Sequence, residues 1–173
     1  MLSEYILIGQ ILRPQGIKGL VKVRPDTNDP ERFYDLDFVY RQTGETYEKL
    51  AVCDVAVRDQ NVFLRVEDDQ TRDDAEKRRD IMLYVDRANA VQLEENEYFI
   101  CDLVGCRVVD QKGNEIGQLV EILQPGANDV YVVKTPKGNL LVPAINRVVV
   151  ATDIDKQEIT LNEDTLFEVS IYE

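Results

Sequence analysis

The stretch Gly9-Gln10-Ile11-Leu12-Arg13-Pro14-Gln15-Gly16-Ile17-Lys18-Gly19-Leu20-Val21-Lys22-Val23-Arg24 decides how the rest of the chain is read. Its end alternates Val21 and Val23 against Lys22 and Arg24, the period of a strand with one face in a core. Pro14, Gly16 and Gly19 punctuate a turn before it, and residues 5–12 ahead of the turn are nearly all apolar. Two strands joined by a short loop make a hairpin, and similar runs recur downstream. They lie at 36–40, 50–57, 62–66, 81–85, 105–109, 118–123, 130–135, 139–142, 147–151 and 158–161, rich in Val and Ile and bounded by Gly, Pro, Asn or Asp. Helical patterns do not alternate with them, which argues against a parallel βαβ sheet. The expected class is all-β, with two antiparallel barrels or barrel-like sandwiches.

Two short helices are expected among the strands. Asp29 precedes Pro30 and Glu31, so it can cap a helix with proline at the first position and an acid near the positive end of the dipole. Thr71 and Asp74 form a variant capping box opening a helix to about residue 79. The pairs Arg72/Glu76, Asp73/Lys77 and Asp74/Arg78 stand four apart and are expected to support a solvated face.

The 173 residues carry 20 Lys+Arg, 33 Asp+Glu and no His, a formal net charge of −13. That length fits one domain or two small ones. Residues 87–97 break the periodicity and end in an acidic cluster, so the expected division is 1–88, a linker at 89–97, and 98–173. Splitting after Gln92 leaves 14 basic and 18 acidic residues before it, net −4, and 6 basic and 15 acidic after it, net −9. No apolar run is long enough to span a bilayer, and Met1-Leu2-Ser3-Glu4 lacks the basic start of a signal peptide. A cytoplasmic protein without membrane contact is expected.

Absence of histidine removes the usual general base near neutral pH and all Ser-His-Asp or Cys-His machinery. Cys53, Cys101 and Cys106 are odd in number and not in metal-knuckle spacing, so reduced, half-buried thiols are expected, with no metal and no cofactor. The mean field repels nucleic acid and attracts basic proteins. Local RNA contact remains open, because charges beyond about 8 Å are largely screened in physiological salt.

Three constellations stand out. Between Arg13 and Arg24 lie four cations (Arg13, Lys18, Lys22, Arg24) and no acid. That loop offers backbone N–H groups and cations together, a surface suited to phosphate, or else an ordinary hairpin whose glycines satisfy positive φ. Tyr98 and Phe99 open the second half; in a strand their rings would point to opposite faces, so one is exposed, braces the other domain or docks a partner. Pro125-Gly126-Ala127-Asn128-Asp129 reads as a structural turn, and Leu140–Ile145 as a strand whose pairing stops at Pro143. Neither of these last two groups holds an obvious nucleophile–base pair.

Taken in order, these segments resemble the RimM family of ribosome maturation factors. The resemblance is carried by Gly9-Gln10-Ile11, Pro14, Gly16, Lys18-Gly19, Val21-Lys22-Val23 and Asp29-Pro30-Glu31-Arg32-Phe33. It continues through Arg72-Asp73-Asp74-Ala75-Glu76, Tyr98-Phe99, Asp102-Leu103-Val104-Gly105, Gly126-Ala127-Asn128-Asp129 and Leu141-Val142-Pro143-Ala144-Ile145. It implies a six-stranded barrel related to translation-factor barrels, then a PRC-type barrel. It further implies a monomeric, non-catalytic assembly factor for the immature 30S subunit. That factor acts on the subunit head through the nineteenth small-subunit ribosomal protein and supports 16S rRNA processing. The implied partner-binding residues are Tyr98 and Phe99, and the candidate contacts beside them are Arg13, Pro14, Gln15, Gly16, Lys18, Gly19, Asn128 and Asp129. The chain departs from the family pattern at Gln15, where His is common, at Phe99, where the second ring is usually Tyr, and at Cys101. Two other readings compete: a flavin-binding barrel, whose only support is the Arg13–Gly19 loop, and a PRC-type interaction module unconnected with ribosomes.

Overall fold

The computed structural model describes residues 2–172, and at Phe167 the backbone alone. They fall into two compact units, residues 4–91 and residues 92–172, the latter including residues 2 and 3.

In the first unit the strands are β1 (Tyr5–Gln15), β2 (Leu20–Pro25), β3 (Phe38–Thr43), β4 (Thr46–Arg58), β5 (Asn61–Val66) and β6 (Met82–Asp86). They close into an antiparallel barrel in the order β1-β2-β5-β4-β3-β6. Alternation sends Val21 and Val23 of β2, and Val62, Leu64 and Val66 of β5, into the interior, each at most 1% exposed. At about 1.5–3 kcal/mol for each fully buried side chain of this size, the interior outweighs any single turn or cap. Closure requires the strands to bend, and register shifts do so within β1 (Leu7/Gly9 and Ile11/Arg13) and β4 (Val52/Asp54). The first shift changes the phase of β1, so Ile6 and Ile8 face inward before it and Ile11 after it. On the outside, Tyr5 stacks on Tyr47 at 3.8 Å and meets Tyr40 edge-on at 4.9 Å.

The segment after Asp29 is a short 3-10 helix, Pro30–Asp35, and the Asp29 carboxylate accepts from the Glu31 N–H as expected. Two tight turns suffice to place Phe33, fully buried, against β4 and β5. Helix α1 (Arg72–Lys77) has the Thr71/Asp74 capping box but stops two residues early. Its four-apart ion pairs are not the ones that form. Lys77 pairs with Asp74, Arg79 with Glu76, and Arg78, at the helix end, turns to Asp69 and Glu67. A helix of six residues cannot present a continuous four-apart ladder.

The second unit contains α2 (Ile100–Leu103), β7 (Arg107–Asp110), β8 (Glu115–Leu123), β9 (Val130–Thr135), β10 (Gly138–Pro143), β11 (Val149–Asp153), β12 (Glu158–Leu161), α3 (Glu163–Val169) and β13 (Ile171–Tyr172). Its sheet runs β11-β12-β7-β8-β9-β10-β13. The β12–β7 pair is parallel, a correction to the purely antiparallel expectation. Leu103, Cys106, Val108, Leu119, Tyr131, Val133, Leu140, Val142, Ile159, Leu161 and Leu166 form the core. Burial pushes the Tyr131 phenol up to about 12 and raises the Cys106 thiol. Cys53 and Cys101 are exposed, not half-buried as expected. Among the described residues no helix is long and apolar enough to cross a membrane, and no three Cys, Asp or Glu side chains gather as a metal site.

Candidate functional site

The β1–β2 loop stands over α1 and the residues leading into it. Gly19 has φ +76°, and a Cβ placed on it would lie 2.2 Å from the Asp69 carbonyl oxygen. Only glycine lets the loop backbone come this close. Arg72 donates from Nη1 to the Gly16 carbonyl at 3.3 Å, and Arg79 from Nη1 to the Leu12 carbonyl at 3.4 Å. The Asp80 N–H reaches the Ile11 carbonyl at 2.9 Å. Beneath the loop, Arg78 grips Asp69 with Nε on Oδ2 at 2.9 Å and Nη2 on Oδ1 at 3.1 Å. The two side chains are only 13% and 11% exposed, and these bonds hold the Arg78 guanidinium above its ordinary pKa. The loop is therefore fixed from below by an element more than fifty residues away in sequence.

Its cations remain on the surface. Arg13 and Lys18 are exposed, as is Arg24, which donates to Gln10 Oε1 at 3.0 Å; Lys22 is half-buried on the outer face of β2. Pro14 is buried, Gln15 and Gly16 are exposed, and Gly16 has φ +68° with nothing near its Cβ position. Close by, a cleft of about 290 Å³ is lined by Arg41, Asp69, Asp74, Lys77 and Arg78. Every cation in it has a carboxylate partner, because Arg41 pairs with Glu48, Lys77 with Asp74 and Arg78 with Asp69. The cleft is electrically self-satisfied, whereas the loop is not.

Tyr98 and Phe99 do not lie in a strand. They precede α2, with Phe99 at its N-cap in extended backbone. Adjacent aromatics suggest a strand, but Asp102 and Leu103, both buried, require the helical spacing that follows. Tyr98 packs on the second core, and its hydroxyl donates to the Thr152 carbonyl at 3.4 Å. Phe99 is half-buried, while Ile100 and Val104, four apart on the next turn, are 39% and 38% exposed. Asn128 is exposed and Asp129 half-buried in the loop between β8 and β9. The Ala144 N–H donates to the Asp129 carbonyl at 2.8 Å, and Val130 pairs with Pro143. Two motifs separate in sequence thus form one double-loop edge. Cross-strand register is the signal that joins them, and a single sequence does not contain it.

Comparison with known proteins matches residues 6–90 to the RimM N-terminal domain and residues 100–164 to the RimM PRC barrel domain. The fold and these matches define a two-domain β protein joining those modules. A protein of a Thermoanaerobacter species named ribosome maturation factor RimM is 44% identical over 160 residues, covering 90% of this chain and 94% of that one. Its namesake from Caldanaerobacter subterraneus is 41% identical over 156 residues, covering 89% and 93%. The chain belongs to the RimM family. The solution structure of the N-terminal domain of RimM from Thermus thermophilus, 22% identical, covers 53% of this chain and 100% of that one at a TM-score of 0.43.

Proposed function

We propose that this protein is a ribosome maturation factor that binds the immature 30S subunit without catalysing a covalent step. It acts on the subunit head through the nineteenth small-subunit ribosomal protein and supports 16S rRNA processing. The observation that carries this reading is the likeness, over about nine-tenths of the chain, to proteins named ribosome maturation factor RimM. The two halves divide the work by charge. The Arg13–Arg24 loop faces rRNA, since its four cations have no carboxylate partner among the described residues. The second half, net −9, holds the basic ribosomal protein by complementary charge, with Tyr98, Phe99, Asn128 and Asp129 at the contact.

Cosedimentation with small-subunit precursors through a sucrose gradient tests the reading; a protein that stays at the top of the gradient overturns it. Reversing Lys18, Lys22 and Arg24 to Glu is expected to lower the slope of log affinity against log salt by about 2–3, from a loss of roughly 0.7–0.9 per phosphate contact. An unchanged slope removes the loop from the RNA contact.

A further inference from the structure

The geometry points to a docking surface for unpaired RNA on the outer face of β1, β2, β5 and β4, with Phe63 as its base platform and Arg58 and Arg65 as phosphate contacts outside the loop. This rests on the reading that the first unit faces rRNA. It goes beyond that reading by naming a second set of residues and the form of RNA they suit.

Strand register assembles the face. Arg13 pairs with Lys22, Lys22 with Phe63, and Phe63 with Ala56, giving one row across four strands. Adjacent strands stand about 4.8 Å apart, so the row crosses about 14 Å. Flanking rows add Gln10 with Arg24, Asp54 with Arg65, and Arg58 with Asn61. The inward partners of these positions, Val21, Val23, Val62 and Leu64, are buried, which places the row and its flanks outside.

Charge on this face differs from charge elsewhere. Arg13, Lys22, Arg24, Arg58 and Arg65 contribute five cations, and Asp54 is the one acid at the outward paired positions. None of the five has an ion-pair partner among the described residues, and neither do Arg32, Lys49, Arg72, Lys134, Lys137 and Arg147 elsewhere, so what sets the face apart is the gathering of five cations against one acid. In a chain of net −13, five cations gathered on one face form a local positive patch that can focus and steer an anionic ligand. Phe63 selects among anions. It is half-buried in the middle of the row, flanked by Lys22 and Ala56. A ring amid cations is the arrangement that takes stacked bases and phosphates together. A duplex hides the faces of its bases, so unpaired RNA is the form that can use it.

The test measures binding of the full chain to an unstructured twelve-nucleotide RNA, the corresponding duplex and polyglutamate across a salt series. Arg58→Glu and Arg65→Glu are each expected to lower the salt slope for the single strand by about 1. Phe63→Leu is expected to weaken the single strand about tenfold, leave the duplex and the melting temperature unchanged, and be rescued by Phe63→Tyr. Arg58 is exposed and Arg65 half-buried on the outer face, neither in the core, so their variants decide the point even if Phe63→Leu does not fold. Unchanged slopes in both arginine variants, with Lys18→Glu in the loop still lowering the slope, overturn the surface and leave the loop reading standing. Unchanged slopes in all of them overturn the loop reading too. Polyglutamate bound as tightly as RNA makes the partner an acidic protein and overturns the proposal.

Discussion

Gly16 and Gly19 look alike in the sequence, two glycines in one turn, and the structure separates them. Both have positive φ, but the Cβ position of Gly16 opens on empty space, whereas that of Gly19 meets the Asp69 carbonyl at 2.2 Å. Gly16→Ala is therefore expected to cost about 1 kcal/mol, the ordinary penalty for a left-handed non-glycine residue. Gly19→Ala must also push the loop off the strand–helix connection, and is expected to cost about 2–4 kcal/mol. Chemical denaturation of the two variants checks the contrast, and equal losses would mean the loop does not rest on Asp69. The turn was legible from Pro14, Gly16 and Gly19. What lies behind it was not, because Asp69 is fifty residues away and nothing local points to it.

At the scale of elements, α1 shows how a charge pattern misleads. The spacing suggested a solvated face, but the Arg78 guanidinium lies almost covered between Asp69 and Glu67. Arg78→Ala leaves Asp69 buried without its cation, and is expected to cost about 2–4 kcal/mol, far more than the 0.3–0.5 of a surface helix pair. The same variant should speed amide exchange at residues 16–19, since the support under the loop is lost; native exchange rates there would refute the coupling. Strand β9 offers a pH test. Burial raises the Tyr131 phenol from 10.0 to about 12, so the folded protein holds the neutral form longer than the unfolded chain. Stability from this group is intact below about pH 10 and is lost as pH rises from about 10 to about 12. Unfolding free energies measured from pH 9 to 12 should fall less steeply in Tyr131→Phe than in the natural protein. Helix α3 went unread, although Asn162 before Glu163 and Asp164 is a cap signal, and its side chain does accept from the Asp164 N–H. The short run before Leu166 gave too little periodicity to support it.

At the scale of the whole molecule, the proposed division of partners by charge can be tested from both sides. Glu94→Gln with Glu95→Gln removes two acids just before Tyr98, and is expected to weaken binding of the isolated nineteenth small-subunit ribosomal protein several-fold at low salt and hardly at all at high salt. The Lys18/Lys22/Arg24 reversal should leave that affinity unchanged; a loss there would show that the loop binds the protein rather than RNA. By itself the sequence determined the all-β class, most strand positions, the turns, the Thr71/Asp74 cap and the acidic second half, because alternation, glycine, proline and charge act over a few residues. Tertiary structure alone decided which strands are neighbours, that β12 runs parallel to β7, that Tyr98 is drawn onto a core ahead of a helix, and that Arg58, Phe63 and Arg65 join Lys22 on one face. Those facts depend on register between distant segments. Register is fixed only when the whole barrel closes and every strand must bury its apolar side at once.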